Sequence, residues 1–339
     1  MNLRLTTEVL TLHTRHPFII ARGGNSEYRT LMVTITDHDR VEGWGEAAAT
    51  KFYGETLETV QAAIAIYAAV LGDDPFQLEA IEQRLMAALP GNAAARVAIS
   101  AALHDLVGKK LGIPLWKLWG LDRSAAPKST FTIGIDTPEM IRRKVLEASE
   151  YPILKVKLGS DDDLAILRTM REATDRELRV DANCGWTPAH AIAMLPVLEE
   201  FGVTVLEQPV VPDDLDGLAK VRQHATIPII ADESCVTSAD IPKLVGRVDG
   251  INIKLAKCGS LREALRMIAM ARAHGMMVMV GCMIESSLGI TAAAHLTPLV
   301  DIVDLDGAAL LRDDPFAGAA IPGGQVTLPD APGLGVTRR

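Results

Sequence analysis

The stretch "LRVDANCGWTPAHAIAMLPVLEEFGVTVLEQP" (Leu178–Pro209) decides the fold. A short β-branched run ends in a buried-type acid, Asp181. A helix-patterned segment follows, and then a second apolar run ends in Glu207. This is one strand–helix–strand unit, in which a strand feeds a crossover helix and a parallel neighbour. The texture repeats on both sides: "TFTIGI", "LKVKLG", "IPIIADES", "GINIKLAK", "MVMVGCMIE" and "DIVDLDG" are further runs of the same kind. The polar residues closing them fall at Lys157, Asp181, Glu207, Asp232, Lys254, Cys282 and Asp304, about 25 residues apart. Eight such units predict a (β/α)8 TIM-type barrel. Neither GxGxxG after a strand nor a Walker A sequence supports a doubly wound sheet instead.

The chain before the repeats reads differently. "LRLTTEVLTL" and "YRTLMVTITD" alternate like antiparallel strands, and "LETVQAAIAIYAAVL", "DPFQLEAIEQRLMAAL" and "AARVAISAALHDLVGKKLG" carry apolar residues at helical spacing. Loops holding Gly23, Gly24 and Gly54 are expected to act as lids. The expected division is an α+β capping domain over 1–125, the barrel over 126–314, and a segment over 315–339 that returns to the capping domain.

Composition narrows the function classes. In 339 residues, 34 Lys+Arg against 43 Asp+Glu give a net charge of −9, with no basic block, which argues against nucleic acid as a partner. A basic n-region before an apolar core is absent, as is an uncharged apolar run long enough to span a bilayer. The expectation is therefore a cytoplasmic protein without membrane contact. Cys184, Cys235, Cys258 and Cys282 show no zinc spacing and read as free thiols in a reducing compartment. The oligomeric state stays open, a homo-oligomer included.

In a barrel the reactive mouth lies at the carboxyl ends of the strands. Asp181, Glu207 and Asp232 end three successive strands, so three carboxylates converge with no obvious cation among them. Such a set repels itself unless a cation sits between its members, and all-oxygen ligands suit a hard divalent ion, Mg2+ first. Lys157 and Lys254 end the second and sixth strands, which face each other across an eight-membered ring. Two bases on opposite faces of one carbon can remove a proton from one side and return it on the other. A proton beside a carboxylate is too weakly acidic for lysine alone, and a divalent ion on the carboxylate oxygens stabilises the enediolate charge that develops. A lysine base must be partly neutral near pH 7 although its ordinary pKa is about 10.4, and burial, a metal and a second ammonium push it that way. Lys155, two residues before Lys157 on the same strand face, can donate to a substrate carboxylate.

These residues resemble the enolase superfamily, and within it the muconate lactonising subgroup. "ALHDLVGKKLGIPLWKLWG" is similar to the helix and turn before the barrel, followed by "KVK", "VDAN", "LEQP", "ADES" and "NIKLAKCG". The resemblance implies Asp181, Glu207 and Asp232 as Mg2+ ligands and Lys157 and Lys254 as the acid/base pair. The mandelate racemase subgroup needs a histidine at the seventh strand end, where this chain has "VGCMIE". "GCMIESSLGI" and "DLDG" resemble the dipeptide epimerases, with Asp304 and Asp306 as an anionic pole for a substrate ammonium, and Thr132, Lys155 and Cys282 at the substrate. "FIIARGGNSE" resembles the lid loop of L-Ala-D/L-Glu epimerases, in which an arginine, here Arg22, meets the glutamate side chain. The implied activity is an isomerase: epimerisation by 1,1-proton transfer at the C-terminal residue of a dipeptide, L-Ala-L/D-Glu from peptidoglycan turnover first. The alternatives are an N-acylamino acid racemase or an o-succinylbenzoate synthase-like lyase, against which the DxD pair argues, and a non-catalytic barrel that has lost its chemistry, against which the intact lysines and trio argue.

Overall fold

The computed structural model describes residues 2–339. Two long strands, β1 (Arg4–Ile20) and β2 (Gly23–Thr36), form an antiparallel hairpin, and β3 (Glu42–Ala47) adds to it in the order β1-β2-β3. The sequence reading sees only the inner halves of β1 and β2, and it takes the glycines at Gly23–Gly24 for a loop. Instead the strands run on to a two-residue turn at Ala21–Arg22, with one register shift between His13 and Phe18. Pro17 and the adjacent glycines mask strand propensity there, while the pairing supplies the backbone hydrogen bonds.

β3 carries Gly43 and Gly45, so it too escapes a propensity reading. A Cβ on Gly43 would lie 1.9 Å from the Ala102 carbonyl oxygen, and one on Gly45 would lie 2.0 Å from that of Ala98. The helix Ala93–Leu111, rich in buried alanines, therefore sits almost backbone to backbone on the sheet. Leu31, Val33, Ile35, Val60, Ile64, Tyr67 and Leu103 fill the core between them.

The repeats form eight parallel strands: β4 (Phe131–Ile133), β5 (Ile153–Lys157), β6 (Glu177–Asp181), β7 (Val203–Glu207), β8 (Ile229–Ala231), β9 (Gly250–Lys254), β10 (Met277–Gly281) and β11 (Ile302–Asp304). They pair in chain order, and a parallel bridge between Ser129 and Val303 joins the two ends, with the Thr130 N–H donating to the Val303 carbonyl at 3.2 Å. Val205, Ile230, Met279 and Ile302 form a small apolar cluster of their own among the barrel strands. The larger core lies mainly between strands and helices.

Two further contacts bear on the mouth. Glu46, on β3, accepts from the Ser286 backbone N–H, the Ser286 hydroxyl and the Gly289 N–H, so it caps the helix Ser287–Ala294 that follows β10. After β12 (Phe316–Ala317) the chain packs on the helix Ala93–Leu111 and the turn beyond it: Leu334 N–H donates to Asp105 at 2.8 Å, and the Trp116 indole N–H donates to the Pro329 carbonyl at 2.9 Å. β13 (Thr337–Arg338) then pairs with β12. No helix among the described residues is long and apolar enough to cross a membrane.

Candidate metal and proton-transfer site

Strand register aligns the polar ends. Lys157 pairs with Asp181 and Asp181 with Glu207, while Gly281 pairs with both Lys254 and Asp304. Each of these side chains leaves the last residue of a strand, and Asp232, Cys282 and Asp306 follow within two residues. Parallel pairing, with one register shift between Leu178 and Arg179 on β6, thus turns a sequence interval into a ring of functional groups.

Asp181, Glu207 and Asp232 are all buried, and each offers a carboxylate oxygen within 4.8 Å of the others. Three anionic oxygens that close, with no sulfur or imidazole among them, fit a hard divalent cation. The expectation of a trio without cations nearby needs correction, because four lysines converge on it. Lys157 Nζ lies 2.6 Å from Asp181, and Lys254 Nζ lies 2.6 Å from Asp232. Lys155 Nζ bridges Glu207 at 2.6 Å, Asp304 at 2.7 Å and Asp181 at 3.4 Å. Lys257, fully buried, reaches the Asp232 carboxylate and carbonyl at 2.5 Å each, the Asn252 carbonyl at 2.9 Å and the Cys235 carbonyl at 3.0 Å. Strand parity delivers Lys155 with Lys157, and one further helical turn delivers Lys257 with Lys254.

The charges act on one another strongly in this dry cluster. Burial opposes ionisation of Asp232, but Lys254 and Lys257 outweigh it and hold the carboxyl well below the usual range. Burial likewise opposes Asp181, and Lys157 and Lys155 bring it down. Glu207, between two other carboxylates, is pushed up to about 7 by burial and then by Asp181, with Lys155 opposing. Lys254 departs from the expectation of a base pushed towards neutrality. Burial acts that way, yet the Asp232 and Glu207 charges win and raise it above the ordinary lysine value. Lysine ammonium and divalent cation compete for the same carboxylates.

At the other side of the mouth, Asp304 and Asp306 are buried and have separate roles. Asp304 accepts from Lys155 and from the Thr130 hydroxyl; burial opposes its charge, but Lys155 holds it at about 2. Asp306 accepts from the Thr132 backbone N–H at 2.5 Å, and burial followed by the Asp304 charge raises it to about 7. Cys282, whose thiol is raised well above its ordinary value by burial and then by the Asp306 and Asp304 charges, donates to the Asp304 carbonyl at 3.4 Å.

The remaining candidate, Arg22, sits at the hairpin turn. The sequence reading leaves it free to meet a substrate carboxylate. Instead its guanidinium donates to the Asn183 carbonyl at 2.6 Å and to Glu233 at 2.8 Å, and it stacks over the Phe52 ring at 4.3 Å. Asn183, Glu233, Lys257 and Asn252, which donates to Glu207 at 2.8 Å, escaped the sequence reading. Each lies within two or three residues of a residue it singled out, inside "VDAN", "ADES" and "NIKLAK", and that adjacency was the available signal.

The chain matches the Enolase C-terminal domain-like family over residues 139–339 and the N-terminal domain of mandelate racemase / muconate lactonizing enzyme over residues 4–120. It belongs to the mandelate racemase / muconate lactonizing enzyme family. Among relatives of this family, the L-Ala-D/L-Glu epimerase of Bacteroides thetaiotaomicron is 43% identical over 338 residues, covering 99% of this chain and 88% of that one. The L-Ala-D/L-amino acid epimerase of Maribacter sp. is 40% identical, covering 99% of each. The crystal structure of a dipeptide epimerase from Enterococcus faecalis, complexed with Mg and L-Leu-L-Tyr, superposes with a TM-score of 0.94 at 33% identity, covering 99% of this chain and 100% of that one.

Proposed function

We propose that this family member is a Mg2+-dependent dipeptide epimerase that inverts the α-carbon of the C-terminal residue, with L-Ala-L/D-Glu as its first substrate. The single observation that carries the reading is the placement of two lysines on the outer members of the trio, Lys157 on Asp181 and Lys254 on Asp232. Asp181, Glu207 and Asp232 would hold Mg2+, which would supply positive charge to stabilise the enediolate charge on the substrate carboxylate.

The chain's own groups do the rest. Lys157 and Lys254 approach the α-carbon from opposite sides; the neutral one removes the proton and the other, as ammonium, delivers one to the opposite face. Lys155, whose ammonium here contacts Glu207 and Asp304, turns to donate to the substrate carboxylate. Asp306 receives the free ammonium at the other end of the dipeptide, and Thr132 and Cys282 line that end. The protein is inferred to be cytoplasmic and to act on dipeptides released in peptidoglycan turnover; its four free thiols support a reducing compartment.

The test is a dipeptide library incubated in D2O with Mg2+ and read by mass spectrometry and chiral chromatography. The expected result is α-deuteration and inversion of L-Ala-L-Glu, abolished by chelation and restored by Mg2+. Equal rates for free and N-acetylated dipeptides would favour an N-acylamino acid racemase. Full turnover in metal-free protein would refute the mechanism.

A further inference from the structure

Arg22 and Glu233 form an ion pair that the proton-transfer chemistry does not use, and its position makes it legible to a substrate. The two residues come from different parts of the chain: Arg22 from the two-residue turn between β1 and β2, Glu233 from the residue after the trio member Asp232. Their contact is 2.8 Å, with Glu233 almost wholly buried and Arg22 about one-third exposed. The second anchor of Arg22, Asn183, donates to Asp181 through its backbone N–H at 2.8 Å and its side-chain amide at 3.1 Å. The guanidinium is therefore one residue removed from the trio on both sides. In the proposed function the substrate α-carboxylate lies at the trio, and this pair flanks the trio through Asn183 and Glu233.

One detail shows that the Glu233 side of the pair is not saturated. One Glu233 carboxylate oxygen accepts from Arg22 and, at 3.4 Å, from the Asn183 side-chain amide, while the other is buried without a hydrogen-bond partner among the described residues. A buried, unpartnered carboxylate oxygen is costly and accepts any donor brought to it. The Phe52 ring covers one face of the guanidinium, whose two terminal nitrogens donate to the Asn183 carbonyl and to Glu233. The site thus presents a cation and an anion side by side, and it carries no net charge there.

We propose that Glu233 is a specificity-determining residue: by holding Arg22 as a neutral pair, it sets how strongly the site prefers an acidic side chain and admits uncharged ones. The proposal rests on the dipeptide epimerase reading and refines it. A lone arginine would attract an acidic side chain and be stranded by an apolar one. A paired arginine still meets an acidic side chain, but Glu233 repels that side chain and keeps Arg22 satisfied when an apolar one enters. Specificity is a difference between substrates, and Glu233 compresses that difference.

The experiment compares kcat/KM for L-Ala-L-Glu, L-Ala-L-Leu and L-Ala-L-Lys in Mg2+-loaded wild type, Glu233→Gln, Arg22→Met and the double variant. Glu233→Gln keeps the shape and an acceptor for Arg22 but removes the charge, so the Glu-to-Leu ratio should rise roughly tenfold, mostly through a lower KM for the acidic substrate. Arg22→Met leaves Glu233 as the lone charge, so L-Ala-L-Lys should gain on L-Ala-L-Leu and L-Ala-L-Glu should fall behind both. The double variant should discriminate least. The proposal is overturned if the Glu-to-Leu ratio stays at its wild-type value in folded Glu233→Gln. Should that variant not fold, Arg22→Met decides alone: no gain of L-Ala-L-Lys over L-Ala-L-Leu sinks the idea. If wild type leaves the α-proton of every dipeptide unexchanged, the epimerase reading itself fails, an outcome distinct from either of these.

Discussion

Replacing Lys257 with methionine removes a buried cation while keeping most of its volume and apolar stem. The ammonium, with three N–H donors, lies within hydrogen-bond distance of four acceptors: one Asp232 carboxylate oxygen and the carbonyls of Asp232, Cys235 and Asn252. Methionine offers no donor, and the burial of this position keeps water from taking over. Three carbonyls lose a partner, and Asp232 retains only Lys254 in a cluster already crowded with carboxylates. Removing one partner of a buried pair costs about 3 to 5 kcal/mol, and the remaining lysine argues for about 3. Against a total stability of roughly 5 to 15 kcal/mol, that is a large fraction. The loss should be greatest without Mg2+ and should shrink when Mg2+ is added, because a divalent cation supplies the missing charge and binds the folded state. Guanidinium denaturation of both proteins with EDTA and with Mg2+ measures this. A variant as stable as wild type in EDTA, or one that Mg2+ stabilises less than wild type, would refute the reasoning.

Lys157→Ala and Lys254→Ala should each abolish epimerisation, since inversion needs both faces, while each retains α-proton exchange with one epimer only; chiral analysis in D2O decides, and a wild-type rate in either variant counts against the assignment. Asp306 should impose a pH dependence: with its carboxyl raised to about 7, it is protonated below that pH and loses the charge that meets the substrate ammonium, so kcat/KM for L-Ala-L-Glu should fall as pH drops from about 8 to 6. Asp306→Asn should lack that limb. The same sign makes Asp306→Asn more stable than wild type at pH 8, where the native carboxyl is ionised against its environment, and a melting curve at pH 8 checks it. Gly45→Ala drives a Cβ to 2.0 Å from the Ala98 carbonyl, and since backbone must move to relieve the clash, it should cost about 1 to 3 kcal/mol in a denaturant titration; unchanged stability would contradict the packing.

The barrel and the charged residues that close its strands were legible in the sequence, whereas Asn183, Glu233, Lys257 and Asn252 beside them were not. The reason is local: a parallel strand buried on both faces must be apolar along its length, so a charged residue closing it stands out, and eight repetitions set the ring order. Asp181, Glu207, Asp232 and Lys254 within "VDAN", "LEQP", "ADES" and "NIKLAK" stand out in this way. Tertiary structure alone decided what those charges touch. Lys155 sits between Glu207 and Asp304 because β5 is paired into a closed ring, a relation spanning 149 residues that no local pattern encodes. Glu233 and Arg22 meet across 211 residues, and that contact turned a free arginine into one half of a neutral pair. β3 and the outer halves of β1 and β2 were hidden for a related reason. Glycine and proline lower strand propensity locally, whereas a helix at backbone contact and a hairpin partner supply the hydrogen bonds and packing that make those segments strands.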